Sequence, residues 1–260
     1  MTRPRGEELL DALERGDVRV AEPSDSGEWR VHAWVHEGIL EVLSGSPVVR
    51  MEVGAGADAW PFVDKRAFVP RRFDAEDGVR LVPGGSCVRR GAHVGARTVL
   101  MPPCYVNVGA WVGEGAMIDS HALVGSGAQI GERVHVAAGT QVGGVLEPVG
   151  AHPVVIEDGA WIGGQCGLYE GVLVRAGAVL GAGVTLTAST PVFDLVHDTE
   201  LRAEAGRPLE IPANAVVVPG TRSARGAWAI ERGLAVACAL IVKYRDASTD
   251  VAVALNDALR

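Results

Sequence analysis

A single aliphatic residue returns at every sixth position through the middle of this chain. The series comprises Val82, Val88, Val94, Leu100, Val106, Val112, Ile118, Val124, Ile130, Val136 and Val142, and then Ile156, Ile162, Leu168, Val174, Leu180 and Leu186. Glycine often follows the aliphatic residue, and neither the helical period of about 3.6 residues nor a long strand alternation fits the pattern. The period indicates a solenoid of short strands and tight corners, in which the repeated side chain points inward and each coil covers the next.

The solenoid has one interior break, between Val142 and Ile156, where the interval is fourteen residues instead of twelve. The additional residues lie next to Pro148 and Pro153, so we expect a loop to leave the wall of the solenoid there. Loops on rigid scaffolds frequently carry binding groups. A tolerated insertion without a function is an equal alternative.

The period is absent before residue 80. Apolar residues within 7–15 and 28–43 are grouped as in short amphipathic helices, and Gly16 is the expected end of the first. Residues 52–77 are expected to be irregular and to lead into the first coil. This part of the chain is therefore predicted to form a small helical domain.

After Leu186 the period lapses, returns at Ile211 and Val217, and gives way to a tail. The tail contains a strand-like apolar run over 234–242 and a short helix predicted over 251–259. An open solenoid end exposes unpaired strand edges. We therefore expect the tail to cover the last coil.

With 260 residues, the chain could hold one large or two modest domains. We predict a helical domain over 1–79, the solenoid over 80–220 and a C-terminal cap over 221–260. Aromatic residues make up only 5% and glycines number 34, which suits a narrow column with many corners. The formal net charge is −8 and no long basic run is present, which argues against nucleic-acid binding. An anionic ligand must therefore be met by local positive charge.

The four cysteines are scattered, with no CxxC pair and no histidine at metal-ligand spacing, as in a reduced cytosolic protein. The first residues are rich in charge and lack the apolar core of a signal peptide. No run approaches the roughly 20 apolar residues that span a membrane. The composition therefore predicts a soluble cytoplasmic protein.

Several segments are similar to those of one family of hexapeptide-repeat enzymes. They are Arg80-Leu-Val-Pro, Tyr105-Val-Asn-Val-Gly-Ala, Gly115-Ala-Met-Ile-Asp and Gly143-Gly-Val-Leu-Glu-Pro. In these segments the chain resembles the tetrahydrodipicolinate N-succinyltransferases, and the resemblance extends from about Arg19 to Leu259. It implies a mainly β protein whose solenoid is a left-handed parallel β-helix, assembled as a homotrimer with sites in the clefts between neighbouring β-helices.

The same resemblance implies an N-acyltransferase that moves a succinyl group from succinyl-CoA to the amine of tetrahydrodipicolinate, in lysine and diaminopimelate biosynthesis. The acyl-CoA would be a co-substrate, and neither a metal nor a tightly bound cofactor is expected. Two alternatives stay open: a related acyl-CoA N-acyltransferase with an acetyl donor or another amino-acid acceptor, and a non-catalytic β-helix scaffold. A zinc hydratase of the carbonic-anhydrase kind is disfavoured, because the solenoid histidines include no close pair.

The resemblance implies that two carboxylates, Asp119 and Glu170, are catalytic. Asp119 matches the aspartate that the family requires, and it directly follows the inward residue Ile118, so its side chain should lie at a corner. A carboxylate that accepts the proton of the substrate ammonium supplies the free amine that attacks a thioester; a turn residue bonded to its own backbone is the structural alternative. Glu170 matches a second family glutamate, whereas the glutamate that governs the acyl group falls on Gly167. The acyl preference is therefore open, and Glu170 is either its substitute or a solvated corner.

Three further positions match binding residues of the family. Arg80 matches an arginine that binds the substrate, and a guanidinium pairs two carboxylate oxygens at once. Lys243 and the corner Gly181-Ala182-Gly183 resemble parts of the CoA groove, with lysine for phosphate and small residues against the pantetheine arm. His121 is a candidate base, since many hexapeptide acyltransferases use histidine and its free pKa is about 6.5; packing in place of an aromatic residue is the alternative.

Overall fold

The computed structural model describes residues 3–53 and 60–246. Its N-terminal elements are α1 (Glu7–Arg15), β1 (Ala21–Pro23), β2 (Trp29–Val31), α2 (Ala33–Gly45), β3 (Val48–Val53) and β4 (Trp60–Lys65). Single turns of 3-10 helix follow at Arg66–Phe68 and Ala75–Asp77. Strands β1 and β2 form one antiparallel pair, and β3 and β4 form another.

The first predicted helix is confirmed, and the second begins later than predicted. The chain leaves α1 through Gly16, which adopts the left-handed conformation (φ 82°) that favours glycine. Residues 28–32 are not helical, because β2 pairs with β1 and the N–H of His32 donates to the carbonyl of Val20. The segment 52–77 was expected to be irregular, but its described part contains the end of β3, all of β4 and both 3-10 turns.

The predicted parallel β-helix is confirmed. Each hexapeptide forms a two-residue strand, and successive strands lie on three faces in turn, so that the chain runs from face 1 to face 2 to face 3. Face 1 contains β6 (Cys87–Val88), β9 (Tyr105–Val106), β12 (Leu123–Val124), β15 (Gln141–Val142), β18 (Gly167–Leu168) and β21 (Thr185–Leu186). Face 2 contains β7 (His93–Val94), β10 (Trp111–Val112), β13 (Gln129–Ile130), β16 (Val155–Ile156), β19 (Leu173–Val174) and β24 (Glu210–Ile211).

Face 3 begins with β5 (Arg80–Leu81), β8 (Val99–Leu100), β11 (Met117–Ile118), β14 (His135–Val136), β17 (Trp161–Ile162) and β20 (Val179–Leu180). From β6 to β21 the second residue of each strand is the inward one, and these aliphatic side chains are buried in a single core. The first predicted inward position is wrong by one residue, because Leu81, not Val82, pairs with Leu100. Among the described residues, β5 is the edge strand of face 3, and Leu81 is exposed.

The C-terminal elements extend face 3 and close the solenoid. They are β22 (Val192–Asp194), β23 (Thr199–Leu201), β25 (Ala215–Ser223), α3 (Ala227–Glu231) and β26 (Ala235–Tyr244). β25 joins β20 in parallel and pairs with β26 in an antiparallel hairpin, which confirms the predicted apolar strand of the tail. Buried Val192, Ala239 and Ile241 belong to the solenoid core, so these strands cover the last coil. The predicted helix over 251–259 lies outside the described residues, and the three-domain division stays a proposal.

The interruption after Val142 forms a loop, as predicted; residues 147–150 of this loop are exposed, but the loop also contacts the N-terminal helices. Leu146 packs against the separate core that α1 and α2 form with Phe68. The N–H of Gly150 donates to Nδ1 of His36, at 3.3 Å. The loop therefore joins the solenoid to the N-terminal helices.

Candidate active site

Asp119 lies at a corner of the solenoid, as the sequence predicts. It directly follows β11, on the edge where the chain passes from face 3 to face 1, which we call the 3/1 edge. One carboxylate oxygen, Oδ1, accepts the N–H of Ser120 at 2.7 Å, and the side chain is partly exposed. The turn-residue alternative therefore accounts for one oxygen of Asp119 and leaves Oδ2 available for other contacts.

A histidine that the sequence reasoning did not select faces that second oxygen. Nε2 of His135 lies 4.0 Å from Oδ2 of Asp119. His135 is in the strand that pairs with β11, opposite Met117, and its side chain is buried. Its ring packs on Trp161 of the following coil, with 4.1 Å between ring centroids.

The predicted binding residues follow Asp119 along face 3. From one end of the sheet, the strand order is β5, β8, β11, β14, β17, β20, β25 and β26. Arg80 is on β5, the Gly181-Ala182-Gly183 corner follows β20, and Lys243 is on β26. Because strands are about 4.8 Å apart, Arg80 lies about 10 Å from Asp119 along the axis in one direction. In the other direction the glycine corner lies at about 14 Å and Lys243 at about 24 Å. The chain thus places its predicted substrate and CoA residues in linear order.

Along this line the three binding groups are accessible to different degrees. Arg80 is exposed. Ala182 and Gly183 are also exposed, and a Cβ on Gly183 would meet no atom within 4 Å, so a ligand can approach the backbone closely. The ammonium of Lys243 lies 3.2 Å from Asp246, and its side chain is 42% exposed. A phosphate on Lys243 would therefore compete with a carboxylate.

Glu170 does not lie beside Asp119. It follows β18, at the edge between faces 1 and 2, in an exposed corner with φ of 53°. Its Oε2 accepts the N–H of Ala188 at 2.9 Å. Since Asp119 and Glu170 lie on different edges of one prism, a site that uses both carboxylates requires two copies of the chain.

Gly167 lies in face 1 with the ring of Tyr169 directly over it. A Cβ on Gly167 would lie 2.7 Å from Cε2 and 3.1 Å from the hydroxyl oxygen of Tyr169. The same ring covers Gly143, where an added Cβ would lie 2.9 Å from Cδ1. The aromatic ring therefore occupies the space that a larger side chain at Gly167 would take.

His121 lies at the same corner as Asp119 and is exposed, with φ of 61°. Its backbone makes the corner contacts, since its N–H donates to Pro103 and its carbonyl accepts from Gln141. These backbone contacts are typical of a corner residue, and neither of them involves the imidazole of His121 or the carboxylate of Asp119.

A cavity of about 570 Å³ lies elsewhere, over face 2 and the edge between faces 2 and 3. Arg19 crosses it, with its guanidinium 4.0 Å from the ring centroid of Trp111 and Nε donating to Gln129. Burial lowers the pKa of Arg19 to about 10. Trp111 also stacks on His93, at 3.9 Å. These contacts attach the N-terminal strands to face 2, and Asp119 does not line this cavity.

All four cysteines are free thiols. Within residues 3–53 and 60–246, no group of three or more His, Cys, Asp or Glu side chains is placed to hold a metal ion. Over the same ranges, no helix is both long and apolar enough to cross a membrane.

Three family models match separate parts of the chain. "Tetrahydrodipicolinate N-succinyltransferase N-terminal" matches residues 3–42, "Bacterial transferase hexapeptide (six repeats)" matches 109–144, and "Hexapeptide repeat of succinyl-transferase" matches 153–188. The first match falls on the N-terminal helices, and the other two fall on the solenoid.

Relatives match over nearly the whole chain. The 2,3,4,5-tetrahydropyridine-2,6-dicarboxylate N-succinyltransferase of Polynucleobacter asymbioticus is 42% identical over 97% of this chain and 87% of its own length. The enzyme of the same name from Caulobacter vibrioides is 41% identical over 98% of this chain and 89% of its own. A solved Campylobacter jejuni structure, named for a 2,3,4,5-tetrahydropyridine-2-carboxylate N-succinyltransferase, is 14% identical with a TM-score of 0.48 and covers 97% of this chain and 65% of its own. With a parallel β-helix and this identity over its length, the chain belongs to the tetrahydropyridine-dicarboxylate N-succinyltransferase family of hexapeptide-repeat acyltransferases.

Proposed function

We propose that this protein transfers a succinyl group from succinyl-CoA to the amine of tetrahydrodipicolinate in its open-chain form, 2-amino-6-oxopimelate, and that Asp119 is the base of the reaction. The observation that carries the proposal is the order of groups along face 3: Arg80, Asp119, the Gly181 corner and Lys243. Acyl-CoA is a long molecule with a thioester at one end and phosphates at the other. This order offers a guanidinium for a substrate carboxylate, a base at the reaction centre, exposed backbone for the pantetheine arm and an ammonium for phosphate.

In the proposed reaction Oδ2 of Asp119 accepts a proton from the substrate ammonium. The neutral amine attacks the thioester carbonyl and the C–N bond forms; the nitrogen then loses its second proton to the departing thiolate as the C–S bond breaks, which releases CoA as the thiol, and Asp119 returns its proton to solvent. Ser120 holds Oδ1, so the carboxylate is oriented before substrate binds. Orientation of this kind makes general base catalysis effective.

The proposed assembly is a homotrimer whose sites lie between neighbouring β-helices. Its support is the separation of Asp119 and Glu170 onto two edges of the prism. In a cyclic assembly one edge of each copy faces a different edge of the next, which can bring these two carboxylates into one cleft.

The acyl group is proposed to be succinyl, although Gly167 lacks the carboxylate that the family places there. The hydroxyl of Tyr169 lies over this position and is available as a donor to the free carboxylate of a succinyl group. Competition between succinyl-CoA and acetyl-CoA for one acceptor tests this choice, and a preference for acetyl-CoA would select the alternative N-acyltransferase.

The central test replaces Asp119→Asn, which keeps the shape of the side chain and its contact with Ser120. We expect the variant to fold and assemble as the wild type does, while kcat falls by about 10²- to 10⁴-fold, the usual contribution of a positioned base. Thiol release from succinyl-CoA with tetrahydrodipicolinate measures the rate. Near-normal turnover in the folded variant would exclude Asp119 as the base, and a wild type inactive with every acyl-CoA and amino-dicarboxylate would favour the scaffold.

A further inference from the structure

Three arginines line one cavity on the C-terminal sheet. Arg202 directly follows β23, Arg222 lies in β25, and Arg225 lies two residues beyond the end of β25. The cavity has a volume of about 460 Å³, and its other lining residues are Glu200, Ala224 and Val236. We call the side chains of Arg202, Arg222 and Arg225 the arginine cradle.

The register of the sheet places the cradle on the side that faces away from the core. Successive side chains of a strand point to opposite faces, and buried Val217 and Ile241 belong to the solenoid core. Arg222 lies five residues after Val217, so it is on the other face, and it is paired with Val236 of β26. A ligand can therefore reach the cradle from solvent without entering the core.

The cradle is separate from the lysine that the proposed function assigns to the phosphate of CoA. Lys243 is paired with Val216, near the start of β25, whereas Arg222 lies six residues further along that strand. At about 3.3 Å per residue, this separation is about 20 Å. Only Val216 and Val217 of β25 pair with β20, so Arg222 lies where the hairpin extends past the solenoid wall. One phosphate group cannot contact both cations.

The lining of the cavity is positively charged, although the net charge of the chain is −8. Glu200 is the one carboxylate among the lining residues, and it forms an ion pair with Arg202. Within residues 3–53 and 60–246, the buried Nε of Arg222 has no hydrogen-bond partner. A buried donor without an acceptor is costly, and a ligand with acceptor oxygens would remove this cost.

We propose that the arginine cradle is a phosphate-binding site. A phosphate group carries a charge of about −1.5 to −2 at pH 7 and has three acceptor oxygens. A guanidinium donates to two such oxygens at once, so Nε of Arg222 and one of its terminal nitrogens hold the phosphate while Arg225 supplies a second cation. The phosphate belongs either to a free small molecule or to the nucleotide end of CoA, and the second case rests on the proposed function.

Isothermal titration calorimetry with inorganic phosphate tests the site. Arg222→Met keeps an unbranched side chain and removes the guanidinium. We expect the wild type to bind phosphate and the variant to bind it about 10- to 100-fold more weakly, the usual effect of losing hydrogen bonds to a charged group. Arg232→Ala is the matched control, because Arg232 directly follows α3 in the same hairpin, packs on Trp228 and does not line the cavity. Its phosphate affinity should equal that of the wild type.

Thermal unfolding gives a second measurement that also shows whether the variant folds. Without phosphate, Arg222→Met should be at least as stable as the wild type, because it no longer buries a donor that lacks an acceptor. Phosphate should raise the Tm of the wild type more than that of the variant, since a ligand stabilises the folded form that binds it. Potassium chloride at equal ionic strength controls for the general effect of salt.

CoA and dephospho-CoA, which lacks the phosphate on the ribose, distinguish the two sources of the phosphate. If Arg222→Met weakens the binding of CoA and not that of dephospho-CoA, the cradle binds the nucleotide end of CoA. If only inorganic phosphate binds more weakly, the cradle takes a separate small molecule.

Unchanged affinities for phosphate and CoA in Arg222→Met would overturn the proposal, as would an equal loss in Arg232→Ala. These titrations do not depend on turnover. An inactive wild type would therefore refute the proposed function and leave the test of the cradle intact.

Discussion

A carboxylate at a tight corner can hold the backbone with one oxygen while the other oxygen points to a different neighbour. Asp119 illustrates this division, because Ser120 binds Oδ1 and His135 faces Oδ2. The six-residue period was sufficient to place Asp119 at a corner, since it follows an inward residue. The proximity of His135 to Asp119, by contrast, depends on the register between coils. Its signal was the interval of eighteen residues, three hexapeptides, that sets it directly opposite Met117.

A second carboxylate, Asp194, is buried, and it makes the stability of the fold depend on pH in acid. Asp194 accepts hydrogen bonds from the ring of His197, the hydroxyl of Tyr244 and two backbone N–H groups. Burial alone would raise its pKa, but these hydrogen bonds outweigh burial and lower the pKa to about 2 from the ordinary 3.8. The folded form therefore gains stability above about pH 4 and loses it as the pH falls from about 4 to 2.

We accordingly expect Asp194→Asn to lower the free energy of unfolding by about 2 kcal/mol at pH 7. The difference from the wild type should shrink steadily as the pH falls from about 4 to 2, because the wild-type carboxylate becomes protonated. Chemical unfolding at a series of pH values measures it. Tyr244→Phe, which removes one of the donors, should show a smaller change of the same kind; parallel curves for wild type and Asp194→Asn would contradict the prediction.

At the scale of elements, the sequence predicted those features that depend on the spacing of residues along the chain. Inward residues, the loop after Val142 and helix α1 were predicted from spacing and from Gly16. The start of α2 was wrong because β2 is stabilised by its pairing with β1, a contact that local propensity does not contain. The attachment of the loop to α2 was missed for the same reason. Its apolar anchor, Leu146, is indistinguishable in sequence from a residue of the wall.

Leu146→Ala tests whether the loop holds the N-terminal helices. Leu146 is partly buried against their core, so its truncation should lower the free energy of unfolding by about 1–2 kcal/mol, less than for a fully buried leucine. Val149→Ala is the control, because Val149 is exposed in the same loop and should change stability by less than about 0.5 kcal/mol. Denaturant unfolding compares the two variants, and equal effects would show that Leu146 is not an anchor.

At the scale of the whole molecule, one chain does not bring together all the residues assigned to its site. The sequence named Asp119 and Glu170 together, and only the three-sided geometry shows that they lie on separate edges. The family resemblance supplied the homotrimer, and the separation of these carboxylates is the structural reason to propose it. The sequence could match residues to roles, but it could not show which of them one prism can bring together.

Mixed assemblies test this geometry. If each site takes Asp119 from one copy and Glu170 from its neighbour, Asp119→Asn and Glu170→Gln proteins should each be inactive and should recover roughly a quarter of wild-type activity when assembled at random in equal amounts. Co-refolding, with the mass of the assembly determined by light scattering, measures the recovery. A mixture no more active than its parents would argue against shared sites, and a fully active Glu170→Gln protein would remove Glu170 from the site.

In the proposed site, the stacked coils also fix how long a co-substrate can be. Between Asp119 and the Gly181 corner the solenoid rises by three strands, a distance that changes only in whole steps of about 4.8 Å. Gain or loss of one coil during evolution would therefore change the distance between the base and the residues that bind the rest of the co-substrate. The number of repeats would then match the length of the co-substrate, with no change in any catalytic side chain.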